Sequence, residues 1–371
     1  MRPAAWLSLL LALLSLAMPA RAEDGYELWL RYRSVEARTL DAYRAKTTAL
    51  LPGGDSAAIR AATAELERGL GGLTGRTPAV VSTPEPGVIL YGTAATSPLI
   101  AGLDLPLSDL GAEGYLIRSV RLDGRPATVI AANADIGVLY GAFDLLRRIQ
   151  TRQPLTEVDV RSAPAVKLRL LNHWDNLDRT VERGYAGQSI WDWHKLPDYT
   201  PRLYTDYARA NASIGINGAV LNNVNSNALS LTAPYIAKTA ALAEVFRPYG
   251  IRVYLSARFS APIEIGGLDT ADPLDPRVRA WWKAKADEIY AAVPDFGGFL
   301  VKANSEGQPG PQDYGRNHVD GANMLARALA PHGGTVMWRA FVYEPPEARK
   351  RKGQGDDPKH DRAAHAYDQF K

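Results

Sequence analysis

Cysteine is absent from this 371-residue chain. That rules out disulfides and leaves the apolar core to hold the fold. An excess of charge is lacking too: 43 Lys and Arg against 40 Asp and Glu leave a formal net charge of +3. So small an excess points to neither nucleic acid nor a membrane, and no Lys/Arg cluster sits beside aromatic residues that could stack on bases. The basic run Arg349-Lys350-Arg351-Lys352 reads as a solvated loop. The first 150 residues hold no Gly-rich phosphate loop. The six histidines (His173, His194, His318, His332, His360 and His365) show no metal-ligand spacing, so no cofactor or metal is expected.

What is present is the composition of an ordinary globular protein, 46% apolar and 22% charged, long enough for two domains or one large one. The N-terminus stands apart. Arg2 supplies a positive start, Trp6 to Ala17 is apolar but too short to span a bilayer, and Ala20-Arg21-Ala22 fits a small-x-small cleavage site. Residues 1–22 therefore read as a secretory signal. The expected protein is exported, periplasmic or extracellular, with no membrane partner.

Residues 23–150 read as a small α/β domain. Gly25 to Tyr32 alternates apolar and polar like a half-buried strand. Asp55 to Leu70 has helical spacing and ends in Gly71-Gly72. Gly87 to Tyr91, Glu113 to Leu122 and Ala127 to Ala132 read as strands, the last two joined into a hairpin by Asp123-Gly124. Ile136 to Ile149 closes the unit as a helix.

From about Val166 the rhythm becomes strand, loop, helix, repeated. Strands are expected at Lys167 to Leu171, Gly218 to Leu221, Arg252 to Ser256, Gly298 to Val301 and Thr335 to Phe341. Helices are expected at Thr200 to Ile214, Ala233 to Tyr249, Asp275 to Val293 and Gly315 to Leu329. Such alternation argues for parallel strands with crossover helices. An open doubly wound sheet satisfies the same pattern. Polar and aromatic residues nevertheless follow nearly every strand, as in Asn172-His173-Trp174-Asp175-Asn176, Asn222-Asn223-Val224-Asn225, Arg258-Phe259-Ser260 and Lys302 to Glu306. Sites assembled from many strand ends favour a (β/α)₈ TIM barrel. About five strands are found where closure needs eight, so residues 151–371 are expected to form an incomplete barrel belonging to a longer protein.

The strand ending in Val301 runs into Lys302, Asn304 and Glu306, with Gly307 and Pro309-Gly310-Pro311 stiffening the rest of the loop. A carboxyl group held in that way suits proton transfer. Lys302 and Arg339, at adjacent strand ends, suit a ligand carboxylate, with Arg as a bidentate fork and Lys as a point charge. A structural ion pair between one of these two cations and Glu306 is the competing reading, since a strand-end Lys four residues before a Glu is common. Trp174 and Val224 could form apolar walls against a sugar ring, or belong to the core.

Several segments carry a resemblance: Glu23 to Tyr32, Asn172 to Asn176, Lys302 to Pro311, Tyr314-Gly315-Arg316-Asn317-His318-Val319-Asp320-Gly321-Ala322-Asn323-Met324-Leu325 and Trp338 to Tyr343. They closely resemble the microbial xylan α-glucuronidase family of glycoside hydrolases over the whole chain from residue 23. Gly114 to Ile117 through Gly137 to Gly141 looks like the small α/β domain that precedes several glycosidase barrels. The resemblance implies a further C-terminal helical domain, absent from this chain, through which the full-length protein is a homodimer. It implies Glu306 as general acid, Lys302 and Arg339 as holders of the uronic acid carboxylate, and Trp174 and Val224 as the sugar's sheath. The implied substrates are glucuronic-acid-substituted xylo-oligosaccharides, from which 4-O-methyl-glucuronic acid linked α-1,2 to the terminal xylose is removed with inversion. Inversion needs a second carboxylate roughly 6.5–9.5 Å from the acid to activate water. In the family that base lies on later strands, which implies that this chain alone is inactive.

Two other readings compete. A β-N-acetylhexosaminidase-like enzyme would need adjacent acids at a strand end, and Asp287-Glu288 falls mid-helix. A non-catalytic carbohydrate-binding protein would bind glucuronic acid without hydrolysing it.

Overall fold

The computed structural model describes residues 23–183, 187–305, 307–340 and Phe370. Two sheets organise the chain. The first contains β1 (Ala49–Pro52), β2 (Ala79–Val80), β3 (Val88–Thr93), β4 (Tyr115–Leu122), β5 (Arg125–Ala132) and β6 (Asp159–Ser162), in the spatial order β2-β1-β3-β5-β4-β6. β4 and β5 form the expected hairpin, and Asp123 (φ 49) and Gly124 (φ 77) take the left-handed turn that matches strand twist. The helices α1 (Ala37–Arg44), α2 (Ala57–Thr74), α3 (Pro98–Ala101) and α4 (Asp135–Gln150) accompany this sheet. Leu66, Leu70, Leu139 and Leu146 of α2 and α4 are buried against its Ile89, Ile117 and Ile130.

Two expectations fail here for local reasons. Gly25 to Tyr32 is not a strand. It folds as turns, with Leu28 N–H donating to the Gly25 carbonyl and Leu30 N–H to that of Glu27, and with Leu28 and Tyr32 at positive φ. The helix α2 runs past Gly71-Gly72 and stops at Gly75, whose φ of 67 makes the left-handed cap. Gly72 serves close packing instead, since a Cβ there would lie 2.4 Å from the Tyr32 carbonyl oxygen.

The second sheet is parallel, in the spatial order β11-β10-β9-β8-β7, and curls as a half-barrel. Its strands are β7 (Leu170–Asn172), β8 (Gly218–Val220), β9 (Arg252–Ser256), β10 (Gly298–Ala303) and β11 (Thr335–Ala340). Between them run α5 (Arg202–Ser213), α6 (Ala233–Phe246), α7 (Ala261–Glu264), α8 (Pro276–Ala292) and α9 (His318–Leu329). Asp275 caps α8 as expected by accepting from Arg277 N–H. α9 begins later than expected because Asn317, paired with Asp320 in a capping box, starts it.

The period-2 alternation of the strands separates two faces. Leu221, Val253, Leu255, Phe299 and Val301 bury into the core shared with the helices. Leu170, Val220, Tyr254, Leu300 and Met337 meet on the opposite face, one from each strand. That face continues upward into the strand-end residues. The two sheets are joined by a buried ion pair: Arg209 of α5 donates to both carboxylate oxygens of Glu65 on α2, at 2.7 and 2.9 Å. Among the described residues no helix is long and apolar enough to cross a membrane.

Candidate active site

Lys302 and Arg339 sit two residues beyond Leu300 and Met337, so by strand alternation they extend the face away from the helices. They are also register partners across β10 and β11, which places both on one side of the sheet. Lys302 is only 4% exposed. An ammonium so buried needs hydrogen-bonding partners, and Asn225 is one, accepting from Nζ at 2.7 Å. Arg339 is half-buried.

Asn225 belongs to the run after β8, which is organised by its own amides. Asn225 N–H donates to Asn223 Oδ1 at 2.9 Å. The amide groups of Asn223 and Asn225 both donate to Glu182 Oε2, at 2.8 and 2.7 Å. Deeper, Asn222 locks β8 to β9: its Oδ1 accepts from Ser256 N–H at 2.7 Å and its amide donates to the Ser256 carbonyl at 3.1 Å. Val224 lies beside these amides and is buried in the cluster of Val220, Tyr254 and Leu300.

Beyond β7 the side chains alternate in role. His173 and Asp175 turn into the structure and Trp174 lies between them, half-buried. His173 Nε2 meets the Tyr207 hydroxyl at 2.7 Å, and its Nδ1 faces Asp175 Oδ1 at 3.5 Å. Burial, with the charge of Asp175, pushes the Tyr207 hydroxyl well above its ordinary pKa, so it stays protonated. A protonated hydroxyl at one nitrogen and an acceptor-only carboxylate at the other fit the Nδ1–H tautomer of His173. Asp175 also accepts from the Ser189 hydroxyl. The Arg183 guanidinium lies 5.6 Å from the centroid of the Trp174 ring.

The segment after β10 is pinned on both sides of position 306. Asn304 takes φ 53, a left-handed conformation that asparagine tolerates. Its Oδ1 accepts from Gln312 N–H at 3.1 Å and its amide donates to Asp313 Oδ1 at 3.3 Å. Gln308 N–H donates to the Ser305 carbonyl at 2.9 Å, and Arg258 donates to Gln308 Oε1 at 3.1 Å. Glu306 itself lies outside the described residues. A cleft of about 550 Å³ opens here, lined by Arg258, Ser260, Asn304, Ser305 and Gln308 among others. A second, of about 430 Å³, opens at the ends of β7 and β8 among Asp175, Asn176, Asn222, Asn223 and Asn225. Below the pinned loop, Trp338 Nε1–H donates to Nδ1 of the fully buried His318 at 3.1 Å, so that ring is neutral. Among the described residues no group of acidic or histidine side chains could hold a metal ion.

Of the expected site residues, Lys302, Arg339 and Val224 share one face of the sheet, and Trp174 stands at the end of β7. Glu182, Asn223 and Asn225 went unassigned from sequence. The run Asn222 to Asn225 was visible as a polar strand end, but only the fold shows that Glu182 returns to it.

Comparison with known proteins decides the family. The model described as the glycosyl hydrolase family 67 middle domain matches residues 148–371, and that described as the family 67 N-terminus matches residues 28–145. The chain belongs to glycosyl hydrolase family 67. It is 40% identical over 337 residues to a "Probable alpha-glucuronidase A" of Neosartorya fischeri, covering 90% of this chain and 39% of that protein. It is 39% identical over 348 residues to the "Alpha-glucuronidase A" of Emericella nidulans, covering 91% of this chain and 40% of that protein. The chain thus spans about two fifths of the length of these curated relatives. Among solved structures, a family GH115 4-O-methyl-α-glucuronidase with specificity for decorated arabinogalactans superposes with a TM-score of 0.53 at 15% identity, covering 83% of this chain and 44% of that one. At that identity the likeness concerns the fold alone.

Proposed function

We propose that this family 67 chain carries the uronate-binding and acid-bearing part of an α-glucuronidase active site. The observation that carries the reading is the register pairing of Lys302 with Arg339 on the face away from the helices. Two cations side by side at strand ends present a fork and a point charge to a single carboxylate. The names of the relatives, α-glucuronidases at 39–40% identity, support an anionic sugar as the ligand. Trp174 and Val224 supply apolar surface to the sugar ring.

Glu306 is the general acid in this reading, donating its proton to the glycosidic oxygen as the bond to the leaving xylose breaks. Its flanking residues are fixed by the Asn304–Gln312 and Ser305–Gln308 contacts, which suits a group that must keep its angle to one oxygen. The substrate proposed is (4-O-methyl)-D-glucuronic acid linked α-1,2 to the terminal xylose of a xylo-oligosaccharide, cleaved with inversion in xylan degradation. The described strand-end carboxylates are committed elsewhere, Asp175 to Ser189 and Glu182 to Asn223 and Asn225. The water-activating base is therefore not assigned to either. Export to the periplasm or beyond would place the enzyme with its polymer.

Calorimetric titration of D-glucuronic acid and of D-glucose, with Arg339→Ala as the comparison, tests the proposal. The acid is expected to bind in preference to glucose, and the substitution to abolish the preference. Equal binding of both sugars would contradict it.

A further inference from the structure

A lysine ammonium can only donate hydrogen bonds and a carboxylate can only accept them. Asn225 stands between one of each. Its Oδ1 accepts from Lys302 Nζ at 2.7 Å, and its Nδ2 donates to Glu182 Oε2, also at 2.7 Å. Only one orientation of the amide satisfies both neighbours, so the Glu182 carboxylate dictates which end of Asn225 faces Lys302. The same oxygen of Glu182 accepts from Asn223 Nδ2 at 2.8 Å, which holds the carboxylate in place. Glu182 reaches this position because the chain doubles back after β7. Val181 bridges to Asp175, and Glu182 N–H donates to the Trp174 carbonyl at 2.9 Å.

We propose that Glu182 is a positioning residue for Lys302: acting through Asn225, it sets where the ammonium meets a ligand carboxylate. The inference rests on Lys302 belonging to the carboxylate clamp, and it adds a residue from a different strand end to that clamp. It also links the sugar wall to the clamp, since the backbone that carries Trp174 is the backbone to which Glu182 is tied. Glu182→Met keeps the reach of the side chain and removes both acceptor oxygens. The side-chain amides of Asn223 and Asn225 then lose the one oxygen to which both donate. Asn225 can then turn its amide, which would set donor against donor at Lys302.

The test pairs a crystal structure of the Glu182→Met chain with titrations of D-glucuronic acid and of uncharged D-glucuronamide into wild type and variant. The expected result is loss of the Asn225 Oδ1–Lys302 contact and about a tenfold fall in affinity for the acid, the order of one charge-assisted hydrogen bond. The amide should weaken much less. An unchanged contact, or equal weakening of both ligands, would overturn the proposal, the second because it marks a merely structural role. A wild-type chain that does not prefer acid to amide would instead contradict the clamp, and the contact in the variant crystal would still decide what Glu182 does. An unchanged melting temperature shows that the variant folds.

Discussion

Lys302 and Arg339 are register partners on neighbouring parallel strands, with their side chains on the same face of the sheet. Adjacent strands lie about 4.8 Å apart, so two cations at one register level can share a single carboxylate. Arg339→Lys keeps the charge and loses the fork. We expect it to bind D-glucuronic acid about tenfold more weakly than wild type, the order of one charge-assisted hydrogen bond, with Arg339→Ala weaker still. Titration calorimetry checks the order, and equal affinity for the lysine and arginine forms would remove the bidentate contact from the clamp.

The Glu65–Arg209 pair stabilises the joint between the two sheets. Both groups are almost fully buried, Tyr32 also donates to Glu65 at 2.5 Å, and Asp206 accepts from Arg209 at 3.0 Å. Arg209→Ala would leave the Glu65 charge buried with its main partner gone. It should cost about 3–5 kcal/mol in denaturant unfolding, whereas replacing both residues with apolar ones of similar volume should cost much less. Similar losses in the single and double variants would contradict this.

Gly310 permits the close approach that pins the loop after β10. A Cβ there would lie 2.1 Å from Asn304 Oδ1, the atom that accepts from Gln312. Gly310→Ala should therefore disrupt the loop while leaving the distant first sheet intact. Hydrogen exchange should show faster exchange around residues 304–313 only. Unchanged exchange there would show that the loop accommodates the methyl group.

Arg316 holds the carboxyl of Asp272 below the usual carboxylate range through paired hydrogen bonds, at 2.8 to 3.2 Å. A lowered folded pKa means that the unfolded state takes up the proton more readily as pH falls. The contribution is complete above the unfolded value of about 3.9 and is lost as pH drops through the lower folded value. With Arg316 partly exposed, solvent screening keeps the contribution of the pair small. Asp272→Asn should lower stability slightly at pH 7, and the difference from wild type should vanish in strong acid. A difference that persists there would point to a loss of packing.

The barrel-type alternation was legible because each of the five strands is a short apolar run followed by a polar one. The positions of Lys302 and Arg339 followed directly. Other features were not legible. Tyr26, Leu28, Leu30 and Tyr32 alternate like a strand, yet the backbone there turns, because Leu28 N–H and Leu30 N–H bond locally and not to a sheet. Pro52 ends a strand, β1, that is only four residues long and carries no alternation to mark it. The relay from Glu182 to Lys302 joins residues 120 positions apart through Asn225, and no spacing along the chain signals it.

The most direct measurement is a crystal structure of the chain with D-glucuronic acid. The clamp predicts the sugar carboxylate between Lys302 Nζ and the Arg339 guanidinium, with the ring against Trp174. A carboxylate bound elsewhere, with Lys302 and Arg339 making no contact to it, would contradict the central claim.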